Sequence, residues 1–82
     1  MQICNISTAA NYFHLLRRQM RRDFRKPLII MSPKRLLKLK EACSTIEEFG
    51  EGLTFQRVID EVSPEIKATD PKKIKKLIFC SG

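Results

Sequence analysis

Arg17, Arg18, Arg21, Arg22, Arg25 and Lys26 place six cations within ten residues. Each cation that meets a nucleic-acid backbone can release a counterion from its phosphates, so this row is the first candidate site in the chain. RNA and DNA sites also use aromatic side chains to stack bases, and here the aromatics are badly placed: Tyr12, Phe13 and Phe24 lie on or beside an apolar stripe. The row therefore reads first as a solvated or interdomain helix face and only second as a phosphate site.

The remaining reactive residues are sparse. His14 is the single imidazole, and a base, nucleophile or metal site would need a partner near it. Cys4 alone could approach it, across a strand-to-helix junction, and a surface or packed histidine is the simpler reading. Glu47, Glu48 and Glu51 lack the alternating oxygen ligands and central glycine of a calcium loop, and read as a solvated face. Cys4, Cys43 and Cys80 are odd in number with no C-x-x-C pair, which predicts reduced, partly buried thiols. Gly50 and Gly52 are not followed by Gly-Lys-Ser/Thr, so no phosphate loop is present. No catalytic, cofactor-binding or metal-ligating residue is assigned from these patterns.

The elements that would position these residues follow from periodicity. Met1 to Cys4 suits a strand, and Asn5, Ser7 and Thr8 offer caps for a helix beginning near Ser7 or Thr8. In that helix Ala9, Phe13, Leu16, Met20 and Phe24 fall on one apolar stripe, with Asn11, His14, Arg18, Arg21 and Arg22 opposite. Pro27 cannot continue the helix, which predicts its end before that residue, with Arg25 and Lys26 complementing the dipole. Leu28 to Met31 is a continuous apolar run, expected as a strand covered on both faces. Strand, helix and strand make a βαβ unit, expected to be right-handed.

Beyond it, Lys34 to Ala42 is helix-compatible. Ser44 with Glu47 fits a capping box, with a helical turn ending at Gly50 or Gly52. Phe55 to Ile59 reads as extended and Ser63 to Pro71 as a loop. Four lysines then precede Leu77 to Cys80, a second buried-strand run. The fold class is thus α/β, with strands that look like part of a larger, incomplete parallel sheet.

Composition sets the bounds. An 82-residue chain forms at most one small domain, which buries only ~60% of its unfolded surface. With 43% hydrophobic residues but no Trp, a marginal core is expected. Residues 1 to 40 carry ten Lys/Arg against Asp23 alone, whereas residues 41 to 82 carry six against eight acids. Such a basic half attracts phosphorylated ligands, anionic lipid or nucleic acid, or faces an acidic partner domain. The first residues lack the basic start and apolar core of a signal peptide, and no run approaches the ~18 apolar residues of a membrane helix. A cytoplasmic protein with no membrane association is expected.

Five stretches occur in a distinctive order: Met1-Gln2-Ile3-Cys4-Asn5, Tyr12 to Gln19 (YFHLLRRQ), Arg25 to Lys34 (RKPLIIMSPK), Thr54 to Ile59 (TFQRVI) and Lys76 to Gly82 (KLIFCSG). Together they resemble the thiamine diphosphate-dependent first component of 2-oxoglutarate dehydrogenase, of the transketolase-like family, across nearly the whole chain. By that resemblance residues 1–33 are the tail of the transketolase-like pyrimidine-binding domain and residues 34–82 the start of the C-terminal domain. The family decarboxylates 2-oxoglutarate on thiamine diphosphate with Mg²⁺, in the tricarboxylic acid cycle, and passes the succinyl group to a lipoyl arm of the succinyltransferase component.

The resemblance also implies what this stretch lacks. The Gly-Asp-Gly diphosphate and Mg²⁺ motif with its downstream Asn has no match here. The Glu-His-Ser-Ser stretch and the activating glutamate would precede Met1, and the family would continue past Gly82. The family usually has a small residue at Arg35 and Arg-His-Pro where this chain reads Lys38-Leu39-Lys40. The expectation is a fragment inactive alone, with no cofactor of its own. Its partners would be the remaining domains of the same enzyme or a second subunit. A small basic nucleic-acid-binding protein is the alternative.

Overall fold

A computed structural model describes residues 1–80. Its ordered heart is a βαβ unit: strand β1 (Gln2–Asn5), helix α1 (Ala9–Arg21) and strand β2 (Leu28–Met31). The strands pair in parallel, Ile3 opposite Ile29 and Cys4 opposite Ile30. Gln2 N–H donates to the Pro27 carbonyl at 3.0 Å and Ile6 N–H to the Met31 carbonyl at 3.3 Å, which extends the ladder at both ends. The α/β reading and the parallel pairing of the first two apolar runs hold.

Helix α1 starts where the caps predict. Thr8 is the N-cap, in extended conformation, and its hydroxyl accepts from the Asn11 N–H at 3.2 Å. It stops earlier than Pro27 requires, because Arg22 is already extended. Two side chains hold the turn that follows: Arg25 donates to the Arg22 carbonyl, and Gln19 Nε2 donates to the Lys26 carbonyl at 2.7 Å. The chain needs those residues to double back beside β1.

The faces of α1 are the main correction. Ala10, Asn11, His14 and Leu15 are buried, whereas Phe13, Leu16, Met20 and Phe24 of the apolar stripe are exposed, Met20 by 68%. The buried hydrophobic residues are Ile6, Ala10 and Leu15. Strand β2 is likewise covered on one face only. Leu28 and Ile30 are half-buried, while Ile29 and Met31 are exposed beside Ile3, since no described element packs on that side.

After β2 the chain forms short 3₁₀ turns at Lys34–Leu37 and Lys40–Ala42 in place of the expected helix. Pro33 opens the first of these turns, and both close on local i→i+3 bonds. The capping box forms one residue later than expected, with Thr45 and Glu48 framing a 3₁₀ turn over Ile46–Phe49 that ends at Gly50. Phe55 to Ile59 forms no strand. The expected loop at 63–71 holds a single turn of helix, α2 (Pro64–Lys67), with Pro64 pre-set at its first position. A 3₁₀ turn follows at Pro71–Lys73.

Leu77 to Cys80 does not form a strand, and Phe79 is 89% exposed. A strand needs a neighbour for its backbone groups, and among the described residues none pairs with this run. Ser81 and Gly82 of the quoted final stretch lie outside the described residues. The radius of gyration, 15.1 Å, exceeds the about 12 Å of a compact domain this long, and the extents are 45 × 27 × 26 Å.

Candidate functional site

The polar face of α1, expected in solvent, is where distant parts of the chain meet. It is built turn by turn. At the helix start the Ala10 N–H donates to Ser44 Oγ at 3.0 Å, so that with the Thr8 cap two of the free first-turn N–H groups are already satisfied. One turn on, Asn11 grips the backbone of Gln56 twice: its Nδ2 donates to the carbonyl at 3.0 Å, and its Oδ1 accepts from the N–H at 2.9 Å. This imitates one rung of a strand ladder with a side chain.

His14 is only 4% exposed and its Nε2 lies 2.8 Å from the Glu48 carbonyl. A carbonyl can only accept, so Nε2 carries the proton. Nδ1 is buried with no hydrogen-bond partner among the described residues. The histidine is thus bound to backbone rather than paired with Cys4, and its ring meets Phe13 edge-on at 5.3 Å.

The arginines divide by what they touch. Arg17 donates to the Leu53 carbonyl. Arg18 donates to Gln2 Oε1 at 2.9 Å and lies over the Phe55 ring, 4.2 Å from its centre. Burial, and then the charge of Arg22, lower the Arg18 pKa from the usual arginine value, though a guanidinium stays charged. Arg22 and Lys26 both approach the Phe24 ring, and Arg25 serves the end of the helix. His14, Arg17, Arg18, Arg21 and Arg22 of α1 line an open groove of about 480 Å³ together with Thr54, Phe55 and Arg57.

The other candidate residues stay apart. Glu48 is spent on its capping box, its carboxylate accepting from the Thr45 N–H at 2.6 Å. Among the described residues no group of three or more His, Cys, Asp or Glu side chains converges on a metal position. Cys4 is half-buried, and Cys43 and Cys80 are exposed, which corrects the expectation of three partly buried thiols. The Asn11 and Arg17 bonds escaped pattern reading. The signal available was that Ala10, Asn11, His14, Leu15 and Arg18 form a second stripe at helical spacing, small and polar where the first is apolar.

Comparison with known proteins gives this contact its meaning. Residues 1–40 match the family described as transketolase, pyrimidine binding domain, and residues 43–82 match 2-oxoglutarate dehydrogenase C-terminal. Over its whole length the chain is 55% identical to the human 2-oxoadipate dehydrogenase complex component E1. It is 54% identical to a probable homologue of that component from Caenorhabditis elegans and 48% identical to the 2-oxoglutarate dehydrogenase E1 component of Brucella anthropi. The chain belongs to the 2-oxoglutarate and 2-oxoadipate dehydrogenase E1 family.

It spans 8% of the human protein's length and 9% of the Brucella protein's. No solved structure matches it. The E1 family is thiamine diphosphate-dependent and supplies the first component of 2-oxo acid dehydrogenase complexes. The described residues offer no donor set that fits the cofactor's divalent cation. In E1 terms, every bond from the polar face of α1 to residues 44–56 joins the segment matching one family domain to the segment matching the next.

Proposed function

We propose that this chain is the junction between the pyrimidine-binding and C-terminal domains of an E1 enzyme, with the boundary at residues 33 and 34, and that it is inactive alone. The observation that carries this reading is the face of α1. Its Asn11, His14 and Arg17 are committed to backbone groups of residues 48–56, so its role is to hold two domains in register. The enzyme around it would decarboxylate 2-oxoglutarate or 2-oxoadipate on thiamine diphosphate and Mg²⁺, the cofactor doing the carbanion chemistry. It would pass the acyl group to the lipoyl arm of an acyltransferase component, in the cytoplasm. The open face of Ile3, Ile29 and Met31 and the unpaired Leu77–Cys80 run are the surfaces the rest of that enzyme would cover.

The purified chain is expected to show no saturable heat of thiamine diphosphate binding with Mg²⁺ present, and no carbon dioxide release from either 2-oxo acid. A saturable calorimetric isotherm would overturn the reading.

The nucleic-acid alternative loses support because Arg17, Arg18 and Arg25 are already hydrogen-bonded within the chain. Replacing Arg18, Arg21, Arg22 and Arg25 by glutamine is expected to weaken binding to single-stranded RNA no more than replacing Lys72, Lys73, Lys75 and Lys76. Equal loss marks a diffuse field acting through net charge. A loss confined to the arginine set, read by fluorescence anisotropy at several salt concentrations, would restore the alternative.

A further inference from the structure

Residues 44–57 lie along α1 held largely by side-chain bonds to backbone: Ser44 at the helix start, Gln56 on Asn11, Glu48 on His14 and Leu53 on Arg17. Their aromatic seats are two, Phe49 against Phe13 at 5.4 Å and Phe55 beneath Arg18. No residue of this segment is fully buried, and none pairs in the sheet. The 3₁₀ turns before it close on their own carbonyls, and Gly52 in its middle has φ +80°, a conformation that bends the segment and costs glycine little.

The βαβ unit has separate ties. The β1–β2 ladder, the Ile6 to Met31 bond, the Arg18 to Gln2 bond and the Gln19 to Lys26 bond all lie within residues 2–31, as do buried Ile6 and Leu15. The Thr8 cap on Asn11 N–H is also internal, so α1 keeps its start when Ser44 leaves. Local opening follows such boundaries, where polar latches that water can replace meet a unit with its own buried contacts.

We infer that residues 44–57 form a strap that lifts from α1 as a unit while the βαβ unit stays folded. The strap supplies Thr54, Phe55 and Arg57 to the lining of the groove beside α1, so the groove is complete only when the strap is down. The strap lies at the start of the segment matching the C-terminal family domain, so its lifting opens the contact between the two matched segments.

The test is Asn11→Ala in the 82-residue chain, followed residue by residue by nitrogen–proton NMR and amide hydrogen exchange. Alanine is the better helix former, so α1 itself is not weakened by the change. Amide signals of residues 44–57 should move to random-coil positions with exchange at least about tenfold faster, while those of residues 2–31 away from the substitution keep their shifts. Loosening of neither set, or equal partial loosening of both in a chain that stays folded, would overturn the inference. Should Asn11→Ala unfold the whole chain, Arg17→Gln decides: selective loosening of the strap supports it, and equal loosening or no change overturns it.

Discussion

Leu15→Ala is expected to abolish the cooperative thermal transition of this chain. Among the described residues Leu15 is the one large side chain with no exposed surface, and its buried hydrophobic company there is only Ile6 and Ala10. Truncating a buried leucine removes its transfer energy and leaves a cavity, at about 2–5 kcal/mol. A domain of this size holds about 5–15 kcal/mol in all, and one with so few buried apolar residues sits at the lower end. Far-ultraviolet circular dichroism on heating should show a broad, sloping loss of helix. The control is Leu37→Ala, at a side chain 74% exposed, which should melt with the parent. A Leu15→Ala melt superimposable on the parent would show that the core lies elsewhere.

His14→Ala should have the next largest effect, because it removes the hydrogen bond to the Glu48 carbonyl and the edge contact with Phe13 together. A hydrogen bond whose remaining partner can turn to water contributes about 0.5–1.5 kcal/mol, and about 4–8 °C of melting temperature accompanies each kcal/mol in a domain of this length. His14→Gln places an amide donor at the reach of Nε2 and should recover part of the loss. If both variants melted like the parent, the histidine would be a bystander, and the strap would be held by Ser44, Asn11, Arg17 and the aromatic contacts of Phe49 and Phe55.

Much of the βαβ unit was legible because its signals are local. Thr8 caps α1 through the N–H of Asn11, three residues away, and Leu28 to Met31 pairs with the strand at the N-terminus as its apolar run predicts. The later elements were less legible. Lys34 to Ala42 carries leucines near helical spacing, yet it closes into two short 3₁₀ turns on local i→i+3 bonds, with Leu36 and Leu39 half-buried. Leu77 to Cys80 reads as a buried strand and is exposed coil, because a strand's stability belongs to its neighbours and none pairs with it among the described residues.

The sequence by itself determined the start of α1, the two paired strands and the ordered motifs that mark the E1 family. Only the tertiary structure decided which face of α1 is inside. Pattern reading ranks faces by apolarity, which favours Phe13, Leu16 and Met20. The buried face belongs instead to Asn11, His14 and Leu15, because backbone groups of residues 48–56 supply the hydrogen bonds that offset the cost of burying polar side chains. Those partners lie 34 and 45 residues away along the chain, a distance no local periodicity encodes.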